Sequence, residues 1–230
     1  MKNKNLFMGS ISAFAGILLV ILMLINLFVV QDSFLKYTNH KYHVEENLAM
    51  SSAELDKVTE KMVAYVKGMT DSPQIIVEIN GKKTEFFNEK EIGHLFDVRE
   101  LVSKLYVAML VMCVVCVIGM RNIIKKKAYD AVINGVFLAW GILVFIVAGI
   151  GVAALVDINL VIDGFHEMFL GDSTWVLNPS LDRSVWMFMT NMYEDVLIVI
   201  GVIVGTVAFT SMGTAWIARK RIKEDKKRGK

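Results

Sequence analysis

Four stretches without a charged residue constrain this chain more than any other feature: Phe7 to Val30, Leu105 to Met120, Ala131 to Leu155 and Val196 to Ala218. Three of them are 23 to 25 residues long, and a helix rising 1.5 Å per residue crosses roughly 30 Å of hydrocarbon in about that length. The second is 16 residues, and it reaches 20 when the span starts at Leu101 and Lys104 snorkels to the interface. With 55% hydrophobic residues and only 2 prolines in 230, the composition argues against an ordinary soluble domain. Unpaired backbone groups are costly in lipid, and the blocks lack the polar-apolar alternation of barrel strands, so the spans are expected to be helices. The expected fold class is an all-α membrane bundle of four transmembrane helices.

Orientation follows from the basic residues. Lys2 and Lys4 precede the first span, Arg121, Lys125, Lys126 and Lys127 fill the connection between the second and third, and eight more lie in Arg219 to Lys230, so 14 of the 25 Lys and Arg sit on one side of the membrane. The positive-inside rule makes that side the cytoplasm. The outer segments hold 10 basic against 20 acidic residues, so a formal charge of +2 hides a polarised molecule. Anionic lipid heads account for the basic tail without any nucleic acid. The expected organisation is a cytoplasmic N-terminus and first span over residues 1–30 and an extracellular cap over 31–100. The second span, basic loop and third span then occupy 101–155, an extracellular interfacial loop 156–195, and the fourth span with its basic cytoplasmic tail 196–230.

Two features invite other readings. A Lys-containing start before an apolar run is also how signal peptides begin, but this run is 24 residues with no small-x-small site after it, which reads as a retained anchor. Cys113 and Cys116 form the only C-x-x-C; inside a span and without further ligands, they read as small apolar residues on one helix face, in lipid or against a neighbour.

The first outer segment carries local signals for a small α+β cap. Ser51-Ser-Ala-Glu54 has the form of a capping box, and Leu55, Val58, Met62, Val63 and Val66 follow at helical spacing, predicting a helix from about Ser52 to Gly68. Asn80-Gly81 between Gln74–Ile79 and Lys82–Phe87 predicts a β-hairpin. Asn88 with Glu91 starts a helix that runs through His94, Asp97 and Arg99 into the second span. The second outer segment is poor in charge; Ile158 to Leu170, then Trp175, Trp186, Phe188 and Tyr193, suit the headgroup boundary, so it is expected to lie along the membrane.

All four histidines, His40, His43, His94 and His166, fall in the outer segments. His40-x-x-His43 has a spacing that can bind zinc on a helix, but only Glu45 and Glu46 offer further ligands, and a solvated polar stretch is the plainer reading. His94 and His166 lie among apolar residues near membrane boundaries, at the depth of lipid ester bonds; either is also compatible with a merely structural histidine.

Glu91-Ile-Gly-His94-Leu-Phe-Asp97-Val-Arg99 resembles the E-x-x-H-M-x-D-V motif before the second span in the lipoprotein intramolecular transacylase (Lit) family of four-span membrane proteins. Phe165-His166-Glu-Met-Phe169, followed by Trp175, Leu177, Pro179 and Asp182, resembles that family's second signature, which falls after the third span. The resemblance implies transfer of the sn-2 acyl chain of a diacylglyceryl-modified lipoprotein cysteine to that cysteine's own α-amino group, with no metal or other cofactor. It also implies a catalytic pair, His94 and His166, with Glu91, Asp97, Arg99, Trp175 and Asp182 supporting the site or the substrate. The residues suit such chemistry. Nucleophile and ester share one substrate, so positioning can supply much of the rate, and no G-x-S-x-G elbow is present or required. His166 is assigned general base and acid, and His94 orientation or oxyanion support, with Arg99, Trp175 or a backbone N–H as further donors. Asp97 orients His94 or pairs with Arg99 on the surface, and Glu91 is also readable as a helix cap. Two other classes stay open: a non-enzymatic sensing or partner-binding module, and a metal-dependent hydrolase built on His40, His43 and His94. Gly9, Ser12, Ala13 and Gly16, with Gly201 and Gly205, fit close helix packing in each case.

Overall fold

The computed structural model describes residues 2–28, 30–170 and 175–228. Among these described residues, four helices are long and apolar enough to cross a membrane, within Leu6–Phe28, Glu89–Lys126, Tyr129–Val156 and Ser184–Asp225. They belong to α1 (Lys2–Phe28), α5 (Glu89–Lys126), α6 (Tyr129–Val156) and α8 (Thr190–Lys227). Between them lie α2 (Asp32–Lys41), α3 (Val44–Asn47), α4 (Ser52–Val66), the strands β1 (Ile76–Ile79) and β2 (Lys82–Glu85), α7 (Ile158–Phe169) and a 3-10 turn over Ser184–Phe188. This is the helical membrane class with a small two-stranded sheet that the sequence implies.

One compact unit comprises the described parts of Met1–Ile25, Val107–Ala153 and Ile200–Lys230. Small residues let its backbones meet. A Cβ on Gly119 of α5 would stand 1.8 Å from Ser12 Oγ, and one on Gly135 of α6 would stand 2.7 Å from Ser10 Cα of α1. Gly9 meets Ala131 just as closely, and the Cys116 thiol lies 3.8 Å from the Ser12 carbonyl oxygen. Ile17 and Ile21 of α1, Ala139 and Trp140 of α6 and Val207 of α8 form the core, where the Trp140 indole N–H donates to Ser211 Oγ at 2.8 Å. Gly201 and Gly205 break the expected pattern: nothing among the described residues lies within 4 Å of where their Cβ atoms would be, and both are exposed. Val107, Leu110, Val114 and Val117 form an exposed apolar row along α5, a surface that a membrane covers and water does not tolerate.

The second compact unit comprises the described parts of Asn26–Tyr106 and Ala154–Val199; residues 171–174, which fall within the expected interfacial loop, lie outside the described residues. Its helix α4 starts where the capping signal places it, with Ser51 Oγ accepting from the Glu54 N–H at 3.2 Å. Only this half of the box forms, because the Glu54 carboxylate turns to Lys57 instead. The hairpin register pairs Ile79 with Lys82 across Asn80 and Gly81, whose φ values of 50° and 74° are the doubly left-handed turn that Asn-Gly favours. Leu55, Val58 and Met62 of α4, Val77 of β1, and Phe86 and Phe87 fill the core.

Two parts of this unit differ from the sequence reading. The stretch around His40 is an ordered helix, not a solvated segment: α2 buries Leu35, Thr38 and Asn39, and the Asn39 amide donates to buried Thr59 Oγ1 at 3.1 Å. Met187 and Met192 are core residues of the same cluster, and Trp186, Phe188 and Tyr193 pack against it. The aromatic end of the second outer segment therefore covers apolar protein. Only α7, which has no buried residue, retains the character of an interfacial helix.

Candidate active site

His94 sits five residues into α5, before that helix becomes continuously apolar. His166 sits in the last turn of α7, on the partly covered face it shares with Ile158 and Ile162 at i, i+4 and i+8. Though 72 positions apart in sequence, their rings lie with centroids 6.0 Å apart and planes 31° from parallel. The Trp175 indole stacks on His166 at 5.0 Å and 27°, and Phe165 meets the same imidazole edge-on at 5.8 Å. Two of the expected residues thus form a pair, and a third fixes the plane of one ring.

The hydrogen bonds define what each ring offers. His166 Nδ1 lies 2.7 Å from the carbonyl oxygen of Ile162, one turn earlier. A carbonyl only accepts, so Nδ1 carries hydrogen, and in the neutral ring the lone pair is on Nε2. His94 Nδ1 is buried and has no hydrogen-bond partner among the described residues. Burial disfavours the charged form of His94, and the nearby His166 reinforces this, while Asp97 opposes it; the net effect holds its pKa below the usual histidine value. These influences favour the neutral imidazole of His94, which is able to give one N–H.

Glu91 and Asp182 are placed one step away from the rings. Glu91 and Asn88 cap α5 reciprocally: Asn88 Oδ1 accepts from the Glu91 N–H at 3.0 Å, and Glu91 Oε2 accepts from the Asn88 N–H at 2.8 Å. The other carboxylate oxygen accepts from the Ser184 N–H at 2.6 Å. Asp182 accepts from the Asn178 N–H at 2.6 Å and from the Asn88 amide at 2.7 Å. Burial works against its ionisation, but these bonds and the charge of Lys90 outweigh it, and its carboxyl stays below the usual carboxylate range. Arg99 is engaged elsewhere, donating to the Thr70 carbonyl at 3.1 Å with its guanidinium 4.8 Å over the Tyr65 ring.

The sequence reading did not single out Lys90, Asn178 or Ser184. The capping signature exposes the local Asn88–Glu91 exchange, but nothing in a sequence marks the second Glu91 oxygen as reaching a residue 93 positions away. The metal-hydrolase arrangement does not form. His43 leaves the helix at a φ of 52°, His40 Nε2 lies 2.9 Å from Asp56, and no group of three His, Cys, Asp or Glu among the described residues is placed to hold a metal ion.

No curated protein matches the chain. The structure of the lipoprotein intramolecular transacylase Lit from Bacillus cereus is similar over 98% of each chain, with a TM-score of 0.73 at 16% identity. Two structures of that protein with a histidine mutated match as well: the arginine variant at a TM-score of 0.68 and 14% identity, covering 97% of this chain and 95% of that one, and the alanine variant at 0.70 and 16%, covering 96% of each. At such identities the likeness speaks for the fold. Residues 10–193 match the family described as lipoprotein intramolecular transacylase Lit, and with most of its length matched in this way the chain belongs to that family.

Proposed function

We propose that this chain, an acyltransferase by its family, moves the sn-2 acyl group of a diacylglyceryl-cysteine lipoprotein onto the same cysteine's α-amino group, using His94 and His166 at the outer face of the membrane. The observation that carries the assignment is the 6.0 Å approach of two imidazoles from separate helices. Both termini are assigned to the cytoplasm from the basic residues in the 121–127 and 219–230 segments. The substrate is a lipoprotein, and its acyl chains remain in the surrounding lipid.

The free-base form of an α-amino group, whose ammonium has a pKa of about 8, attacks the ester carbonyl, and its nitrogen must shed a proton as the new bond forms. His166 Nε2 takes that proton, and the Nδ1–H bond to the Ile162 carbonyl strengthens as the ring gains charge. The position in the last turn of α7 adds the partial negative charge of a helix C-terminus. The tetrahedral oxyanion accepts from the N–H of neutral His94. His166 then returns its proton to the departing sn-2 glyceryl oxygen, leaving an amide and a free hydroxyl. Atoms and protons balance within the substrate, and no nucleophile from the protein is needed.

The test is to express the chain in a host whose lipoproteins are diacylated and to read their N-terminal peptides by mass spectrometry. An acyl group relocated from glycerol to the amine, with loss of relocation in His94→Ala and His166→Ala at equal protein level, is the expected result. Unchanged lipoproteins with wild-type chain present in the membrane would refute the activity; active histidine variants would refute the site.

A further inference from the structure

We propose that Glu91 and Asp182 are positioning residues, a pair of carboxylates that lock the loop behind Trp175 onto the first turn of α5 and so set His166 against His94. The proposal rests on the reading of those two histidines as the reacting pair.

Capping a helix needs one carboxylate oxygen, yet Glu91 is only 1% exposed and uses both. Its second oxygen holds the backbone of Ser184, itself buried. Asp182, also buried, mirrors it by joining the Asn178 backbone to the Asn88 side chain. The Lys90 ammonium adds a bond to the carbonyl of Val176, next in sequence to Trp175. Residues 88–91 thus grip the stretch 176–184 at three points, one turn before His94. His166 rides on a helix with no buried residue, so beyond its own Nδ1 bond to the Ile162 carbonyl its ring takes its position from its neighbours, and the Trp175 ring, stacked at 5.0 Å, is nearer than Phe165 or His94. The first turn of α5 therefore places one imidazole directly and the other through the loop.

The donors facing Glu91 are both backbone N–H groups, which explains the residue type. A carboxylate accepts at both oxygens, whereas an amide of the same shape must turn an NH2 toward one of those N–H groups. Glu91→Gln and Asp182→Asn are consequently near-isosteric changes that break the clamp. A displacement of about 1 Å at a reacting group can cost on the order of a hundredfold in rate.

The experiment measures kcat and KM for acyl transfer in a synthetic diacylglyceryl-cysteine peptide by the full-length chain in bilayers. The variants are Glu91→Gln, Asp182→Asn, Trp175→Ala, the double variant Glu91→Gln/Trp175→Ala, and His166→Ala. Each carboxylate variant is expected to lower kcat about 10- to 100-fold with KM within about twofold, and Glu91→Gln is expected to add little once Trp175 is gone, because both act through one contact. If Glu91→Gln accumulates poorly, Asp182→Asn carries the same test with the α5 cap intact. An active His166→Ala would overturn the site reading and the clamp with it. An inactive His166→Ala alongside carboxylate variants of full kcat, or Glu91→Gln and Trp175→Ala effects that simply multiply, would overturn the clamp alone.

Discussion

On the proposed mechanism, replacing His166 by alanine separates chemistry from folding. His166 has only Nε2 to offer a reacting proton, since Nδ1 is committed to the Ile162 carbonyl at 2.7 Å. Without the ring the substrate amine must lose its proton to solvent, and loss of a positioned general base costs about 10²–10⁴-fold, or about 2.7–5.4 kcal/mol of barrier. The folding cost is much smaller: α7 has no buried residue, and the stack on Trp175 is a contact worth about 0.5–1.5 kcal/mol. Single-turnover acyl transfer on a synthetic diacylglyceryl-cysteine peptide, followed by mass spectrometry with the chain in bilayers, reads the rate; thermal unfolding of the same samples reads stability. The expected result is a kcat lower by at least two orders of magnitude, a KM close to that of the wild type and a nearly unchanged unfolding midpoint. His94→Ala is expected to fall by about 10²–10³-fold, the cost of one oxyanion donor, and the double variant is expected to lose little more than the worse single one, because groups acting as a unit are not additive. A His166→Ala rate within about threefold of wild type would refute the assignment of the base.

Because burial and His166 hold the His94 pKa below the usual value, Asp97→Asn, which removes the one influence raising that pKa, is expected to lower it further, read from the His94 ring resonances in an NMR pH titration; a shift upward would contradict the electrostatics at His94. The same group makes folding stability rise with pH between its depressed folded value and about 6.5, where the unfolded chain binds the proton that the folded chain does not; denaturation at several pH values measures that slope. Gly119→Ala places a Cβ 2.8 Å from Ser12 Cβ even if the Ser12 hydroxyl turns away, so it should destabilise the chain by about 1–3 kcal/mol, and Ser12→Gly in the same chain should restore the unfolding midpoint. Phe86→Ala empties a site that is 0% exposed and should cost about 3–5 kcal/mol, seen as faster proteolysis of the cap; an unchanged digestion rate would contradict its place in the core.

What could be read from residues alone follows the range of each interaction. The four spans, the Asn80-Gly81 hairpin and the Asn88–Glu91 cap are written within a few positions of one another, and each appears where its signal lies. Helix α2 escaped because Asp32–Lys41 spends its buried face on Thr38 and Asn39, polar residues whose burial depends on a partner such as Thr59. The row Trp186, Phe188 and Tyr193 has a composition that suits a headgroup layer and a protein core equally well, and only the apolar surface offered by α4 and the hairpin decides between them. Gly201 and Gly205 have the spacing of a packing motif, but spacing gives a face the capacity for close approach and not a neighbour to approach. The site lies between these cases. Neither histidine has a neighbour in sequence that marks it as reactive, so their significance came from the two motifs as a family resemblance, and their meeting depends on the phase of α7 and the path of the loop beyond it. On the proposed mechanism, whose nucleophile and leaving group both belong to the substrate, catalysis comes down to holding two imidazoles in register, and the hydrogen bonds proposed to keep that register join residues more than 80 positions apart.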